Sequence, residues 1–132
     1  MTLKKSKQPK NTTILLIEDD DFLASMYQTK LEIEGYKVLM ANDGEKGLAM
    51  IKKHKPDLVL LDIVLPKLDG FGVLKEVKKS KVLSSIPVIL LTNLSQKEDV
   101  QKGFDLKADD YLIKAHYMPS EVITKIKKTL NT

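Results

Sequence analysis

The segment Thr13–Asp21 reads TILLIEDDD, so a short apolar run leads directly into four consecutive acidic residues. A continuous apolar run of this length is typical of a strand that is buried on both faces of a sheet. The segment 21–34 then carries apolar residues at helical spacing, and Gly35 supplies a stop. The pattern predicts a buried strand, an acidic junction and an amphipathic helix.

Apolar and amphipathic stretches alternate in the same way along the rest of the chain. The later strands are predicted over 36–41, 58–61, 87–91 and 111–113, and the 36–41 strand is expected nearer an edge. The later helices are predicted over 44–53 and 71–79, from a capping box at 95–98 through Phe104, and from Pro119 to Leu130. This order indicates the α/β class, with a five-stranded parallel sheet and helices on both faces.

The length and composition are those of one soluble globular domain. The chain has 132 residues, of which 42% are hydrophobic and 30% are charged. It has no cysteine, which excludes disulfides, cysteine-zinc sites and thiol catalysis. The longest apolar run, Ile86–Leu91, is far shorter than the ~20 residues of a membrane span. Because no secretion signal is present either, we expect a cytoplasmic protein without membrane insertion.

The charge is distributed unevenly along the chain. All 22 basic residues are lysines, and residues 1–12 carry four of them and no acid. Residues 13–132 therefore carry no net charge. We interpret 1–12 as a flexible basic tail and 13–132 as the folded domain. Since arginine makes the commonest specific contact to guanine and none is present, we expect no specific nucleic-acid ligand.

Polar side chains follow several predicted strands at the point where each strand ends. Glu18 and Asp19 follow the first strand, Asp62 the third, Thr92 the fourth and Lys114 the fifth. Ligands bind parallel sheets of this kind outside the carboxyl ends of the strands, so we expect these residues to lie close together. Carboxylate oxygens without histidine or cysteine favour Mg²⁺ over zinc.

These residue types together suit phosphoryl transfer. A carboxylate such as Asp62 beside Mg²⁺ can attack phosphorus and form an aspartyl phosphate. Lys114 would neutralise charge on the phosphoryl oxygens, and Thr92 would donate a hydrogen bond to one of them. Each residue also has a simpler interpretation: the acids at 18–21 as helix caps, Asp62 as a turn residue, and Lys114 as a solvated side chain. Their coincidence at one edge favours the site. The pair at 109–110 is interpreted as a solvated loop.

Several motifs resemble the receiver domain of two-component response regulators. They are Ile14–Asp20, Leu60–Asp62 with Leu65-Pro66 and Asp69-Gly70, Pro87–Thr92, and Ala108–Lys114. The resemblance covers about residues 13–130. It implies the flavodoxin-like strand order 2-1-3-4-5. It also implies that Asp62 is the phosphoacceptor, that Asp19 is a direct Mg²⁺ ligand, and that Glu18 is the second acid of the metal site.

The resemblance implies further roles around that site. The main-chain carbonyl of Val64 would face the metal, and Lys114 and Thr92 would bind the phosphoryl group. Tyr111 resembles the aromatic switch residue that turns inward as the threonine moves. Asn93 and Leu94, together with the side chain of Val64, stand at positions that tune the lifetime of the phosphorylated form.

The sequence departs from the family pattern at two positions. Asn93 replaces the usual small residue after the threonine, and Ala115 replaces the usual proline after the lysine. Without proline, a cis Lys114–Ala115 bond would cost ~2.5–4 kcal/mol, so we predict a trans bond with the Lys114 ammonium still close to Asp62. Neither departure removes a main chemical group, so both affect kinetics and local geometry.

The resemblance implies a signalling switch and no enzyme activity beyond the chain's own phosphotransfer and dephosphorylation. A sensor histidine kinase or a phosphotransfer protein would be the donor, and an unknown output protein would bind in trans to a monomer or weak dimer. Two alternatives stay open: a degenerate receiver that acts only as an interaction module, and a Mg²⁺-dependent aspartyl phosphatase. The phosphatase would need a second aspartate where Val64 stands.

Overall fold

The computed structural model describes residues 11–92, 97–113 and 119–131, in which strands and helices alternate. The strands are β1 Thr13–Ile17, β2 Lys37–Ala41, β3 Leu58–Asp62, β4 Val88–Thr92 and β5 Asp110–Ile113. The helices are α1 Asp21–Ile33, α2 Gly44–His54, α3 Gly70–Lys79, α4 Lys97–Asp105 and α5 Pro119–Asn131. None of the helices in these ranges is long and apolar enough to cross a membrane.

The five strands form one parallel sheet in the order β2-β1-β3-β4-β5. The predicted α/β class and strand order are therefore confirmed, and β2 lies at an edge as expected. The register pairs Ile17 of β1 with Leu61 of β3, and Asp62 with Leu91 of β4. Because all strands point the same way, Glu18, Asp62 and the end of β4 meet at one edge of the sheet.

Two apolar layers cover the sheet. One layer joins α2 and α3 to alternate strand residues such as Leu15 and Leu61. The other layer joins α1 and α5 to the intervening strand residues, such as Leu16 and Leu60, which face the opposite side of the sheet. The central strands β1 and β3 are fully buried apart from Thr13, which explains why their sequences are apolar without alternation.

Aspartate caps begin three of the helices at the carboxyl edge of the sheet. The side chains of Asp20, Asp43 and Asp69 accept hydrogen bonds from the backbone N–H groups of the first turns of α1, α2 and α3. Such caps satisfy donors that have no partner within the helix. The capping box predicted at 95–98 begins outside the described residues.

The structure differs from two interpretations of the sequence. Most of the tail predicted over 1–12 lies outside the described residues, but Thr12 is buried and its carbonyl accepts the Lys37 N–H at 3.0 Å. Thr12 therefore belongs to the folded domain. The pair predicted as a solvated loop is engaged as well: Asp109 accepts the Val88 N–H at 2.8 Å, and Asp110 begins β5. These partners are distant in sequence, so the local pattern did not indicate them.

Candidate functional site

Three carboxylates converge where β1 and β3 end. Glu18, Asp19 and Asp62 each offer an oxygen, and these oxygens all lie within 4.8 Å of one another. Glu18 and Asp62 are almost fully buried, whereas Asp19 is exposed. Carboxylates that are this close repel one another when they are ionised. The arrangement is therefore suited to a cation, and Asp19 forms its side toward solvent.

The acidic run 18–21 divides into two roles. Asp20 caps α1 by accepting the Leu23 N–H at 3.0 Å, and Asp21 lies in the first turn of that helix. Glu18 instead points into the cluster, and one of its oxygens accepts the Asp20 N–H at 3.1 Å. The helix-cap interpretation thus holds for Asp20 and fails for Glu18 and Asp19, which join Asp62.

The loop after β3 folds back against the phosphoacceptor candidate. The Gly70 N–H donates to the Ile63 carbonyl at 2.8 Å, and a Cβ on Gly70 would collide with the main-chain carbonyl of Asp62. The Val64 N–H approaches one carboxylate oxygen of Asp62 at 3.4 Å. Glycine at position 70 thus permits the close approach that brings the loop beside the cluster. From the sequence, Gly70 stands out only as part of the Asp69-Gly70 motif.

The same loop is held from its other side by the start of α2. The Gly44 N–H donates to the Pro66 carbonyl at 3.2 Å, and a Cβ on Gly44 would collide with the Leu68 carbonyl. The loop that carries Val64 is therefore packed between two helix starts. The Val64 side chain is 59% exposed beside Asp62, a position compatible with its predicted tuning role. The metal-facing carbonyl of Val64 stays a prediction.

The remaining predicted site residues lie at or beyond the described ends of β4 and β5. Thr92 is the last residue of β4, and its partner in β5 is Ile113. The residues Asn93, Leu94, Lys114 and Ala115 lie outside the described residues. Their predicted roles, including the trans Lys114–Ala115 bond, stay predictions, as does the hydroxyl contact predicted for Thr92.

Tyr111 stands in a defined aromatic and cationic environment. Its half-buried ring meets the ring of Phe104 edge-on at a centroid distance of 5.4 Å. The Lys125 ammonium lies 5.7 Å from the Tyr111 centroid and also contacts both carboxylate oxygens of Asp110 at 3.0 and 3.1 Å. The sequence indicates Tyr111 but not these neighbours, because their contacts depend on the packing of α4 and α5 against β5.

The acidic cluster fits a hard divalent cation. It offers only oxygen atoms, and in the described part of the chain neither histidine nor cysteine joins it. Mg²⁺ prefers one or two carboxylates together with water and phosphate oxygens, whereas zinc favours nitrogen and sulfur. Two of the acids are buried and the third is exposed. An ion bound there would have protein ligands on one side and access to solvent on the other.

The sequence matches the family model described as the response regulator receiver domain over residues 14–127. It is 40% identical over 117 residues to the DNA-binding dual master transcriptional regulator RpaA of Synechocystis, covering 89% of the chain and 48% of that protein. It is 38% identical over 120 residues to the alkaline phosphatase synthesis transcriptional regulatory protein PhoP of Bacillus subtilis, covering 91% of the chain and 49% of that protein. The chain thus spans about half the length of these curated relatives.

The fold is shared with solved structures. The receiver domain of the Francisella response regulator 1452 superimposes with a TM-score of 0.83 at 31% identity. The match covers 91% of this chain and 97% of that domain. It therefore extends over nearly the whole sheet and the helices on both of its faces.

Proposed function

The chain belongs to the response regulator receiver domains of two-component systems, and from this premise we propose that it is a phosphorylation-dependent switch whose phosphoacceptor is Asp62. The observation that supports the proposal is the convergence of Glu18, Asp19 and Asp62 within 4.8 Å at the carboxyl edge of the sheet. Asp62 is the member at the end of β3, where the loop 63–69 folds around it.

In the proposed reaction, a carboxylate oxygen of Asp62 attacks the phosphorus of a phosphohistidine on a kinase or phosphotransfer protein. A bond forms between that oxygen and phosphorus, the phosphorus–nitrogen bond breaks, and the imidazole leaves with the electron pair. Mg²⁺ held by Glu18, Asp19 and Asp62 would supply charge neutralisation for the phosphoryl oxygens. Lys114 would provide a second positive charge, and Thr92 a hydrogen bond.

The covalent phosphate then shifts a two-state equilibrium of the domain. Tyr111 is the proposed reporter of that shift, because its ring on β5 contacts Phe104 of α4 and lies close to Lys125 of α5. The proposed output is a protein partner that recognises the phosphorylated state. RpaA is named as DNA-binding, but this chain aligns with only about half of it. The proposal keeps the expectation that duplex DNA is not a specific ligand.

Two other functions remain as alternatives with distinct outcomes. A degenerate receiver would bind partners without accepting phosphate, although it would have no need for three converging carboxylates. A phosphatase would turn over its aspartyl phosphate rapidly, but it would need an acid–base group where Val64 stands. The apolar, exposed Val64 side chain favours a lasting phosphoprotein over rapid turnover.

Incubation with a small acyl phosphate and Mg²⁺, followed by intact-mass measurement, tests the proposal. We expect a stable species heavier by about 80 Da, the mass of one phosphoryl group. The increment should be absent from Asp62→Asn and when Mg²⁺ is chelated. Asp20→Asn is the matched control, because asparagine caps α1 equally well and the charge change is the same. Undiminished labelling of Asp62→Asn would disprove the assignment, and continuous release of phosphate without a labelled species would indicate a phosphatase.

A further inference from the structure

The C-terminal ends of α2 and α3 form a cleft that the proposed switch chemistry does not use. Its volume is about 400 Å³, within the range of roughly 300–1,000 Å³ that is typical of ligand pockets. Lys52 and Lys55 line it from α2, and Lys79 lines it from α3. Val82 and Leu83, from the connection between α3 and β4, line it as well. The cleft therefore combines a basic rim with an apolar part.

The residues that line the cleft carry an excess of positive charge. Lys52, Lys55 and Lys79 stand against a single glutamate, a net charge of +2. Glu76 is the one acid among the residues lining the cleft, and Lys79 already pairs with it at 3.0 Å. The basic rim is thus not neutralised by its own lining residues.

Helix dipoles explain only part of this arrangement. Lysines are favoured at the C-terminal ends of helices because they offset the negative end of the dipole. That effect does not account for Val82, which is 66% exposed beside the buried Leu83. Val82 is therefore an exposed apolar side chain among the lysines that line the cleft. An occupant with both acidic and apolar groups would cover it.

We propose that this cleft docks an acidic segment of a partner protein, with acids of the segment on Lys52, Lys55 and Lys79 and an apolar side chain of the segment on Val82. Positive rims attract acidic partners and orient them during encounter. A nucleic-acid backbone would satisfy the lysines but would offer no aliphatic group to the valine. The combination therefore favours a peptide of mixed acidic and apolar character.

The cleft is remote from the acidic cluster. The helix α2 begins beside the cluster, where Asp43 caps it, and ends at the cleft, where Lys55 follows its last residue. Eleven helical residues span about 16 Å, so a segment bound at the cleft leaves Asp62 accessible to a phosphodonor. The docking proposal therefore stands or falls independently of the proposed phosphorylation.

The test uses the full chain without phosphodonor, and the probe is a short fluorescein-labelled peptide of alternating acids and leucines. Fluorescence anisotropy measures its affinity. We expect Lys52→Gln with Lys79→Gln to weaken binding roughly fivefold to tenfold, since each exposed ion pair contributes modestly. The matched control is Lys127→Gln with Lys128→Gln on α5, which removes the same charge from exposed sites elsewhere and should change the affinity less than about twofold.

The apolar contact has its own readout. Val82→Ser should weaken binding of the leucine peptide about threefold and leave unchanged the binding of a peptide in which serine replaces every leucine. Failure of the parent chain to bind the leucine peptide would overturn the proposal. Equal losses of affinity in the Lys52/Lys79 and Lys127/Lys128 double variants would also overturn it, because they would indicate attraction by net charge alone. Tighter binding of a single-stranded DNA oligonucleotide that Val82→Ser does not alter would overturn it in favour of nucleic acid.

Discussion

Glu18 directly follows β1 and Asp62 ends the neighbouring parallel strand β3. Both carboxylates are nearly buried, and the oxygens they offer lie within 4.8 Å of each other and of Asp19. Ionised carboxylates this close repel each other, and their burial leaves little solvent to screen the repulsion. A bound cation would remove this repulsion in the folded state and have no matching effect on the unfolded chain.

Mg²⁺ is therefore expected to stabilise the domain against unfolding. At a concentration about 100 times the dissociation constant, binding to the folded state alone adds about 2.7 kcal/mol. For a domain of this size that corresponds to a rise of roughly 5–15 °C in the midpoint of thermal unfolding. The measurement is a thermal melt in the presence of Mg²⁺ and again after chelation. A midpoint that ignores Mg²⁺ would contradict the metal site.

Asp62→Asn should separate the repulsion between the carboxylates from their binding of Mg²⁺. Without Mg²⁺ the variant should melt at a higher temperature than the parent, because one of the opposed charges is gone. Addition of Mg²⁺ should raise the melting midpoint of the variant less than that of the parent, because the Asp62 carboxylate no longer binds the ion. Asp20→Asn, which keeps the α1 cap, should leave the Mg²⁺-dependent gain unchanged. Equal gains in the parent and Asp62→Asn would remove Asp62 from the metal site.

Gly70→Ala is expected to disturb the site through the backbone. The new Cβ would meet the Asp62 carbonyl and the Ile63 Cα, so the backbone must shift. Forced overpacking of this kind costs typically ~1–3 kcal/mol, and the displaced Asp62 should label more slowly with a small acyl phosphate. Urea unfolding and time-resolved intact mass measure the two effects.

Gly72→Ala is the matched control in the same helix. Its Cβ would crowd the flexible Leu68 side chain rather than backbone atoms, and it would make an ordinary contact with Asp69 Oδ1. Alanine also favours helix more than glycine does. We expect near-parent stability and near-parent labelling. If both variants labelled Asp62 at the parent rate, the close approach of residue 70 would have no part in placing the carboxylate.

The sequence predicted the sheet and most of the acidic site for a physical reason. The central strands are buried on both faces, so their apolar runs are unbroken and their ends are marked by Glu18 and Asp62. The sequence could not separate Asp20 from its neighbours, because capping depends on the backbone angles at the start of α1. Nor could it indicate that Gly70 touches Asp62, since only the folded loop brings them together.

Asp109 illustrates what local patterns miss. It was expected to be solvated, yet it pairs with Lys78 at 3.4 Å and accepts the Val88 N–H. These partners lie 31 and 21 residues away, so no short window of sequence contains the interaction. Lys78 also donates to the carbonyls of Ser84 and Ile86, which ties α3 to the start of β4.

Lys78→Met should therefore destabilise the domain. Methionine retains the aliphatic packing of a side chain that is only 14% exposed, but it leaves two carbonyls and Asp109 without this donor. We expect a loss of about 1–3 kcal/mol in the free energy of unfolding, measured in urea. Lys75→Met, an exposed position on the same helix, should change it by less than about 0.5 kcal/mol. Indistinguishable midpoints for the two variants would contradict a structural role for Lys78.

Lys125→Met tests whether the surroundings of Tyr111 oppose the proposed switch. In the described state, Lys125 holds Asp110 and lies over the Tyr111 ring, while Phe104 packs against the ring edge. If phosphorylation of Asp62 moves this ring, the Lys125 contact favours the unphosphorylated state and its removal lowers the free energy needed for the shift. A cation–π contact contributes about 0.5–1 kcal/mol at an exposed site, so the steady-state ratio of phosphorylated to unphosphorylated chain should rise about twofold to fivefold. Intact mass at a fixed concentration of acyl phosphate measures that ratio, with Lys128→Met as the control on the same helix. A ratio that falls or stays constant in Lys125→Met would show that the Lys125 contact does not bias the switch.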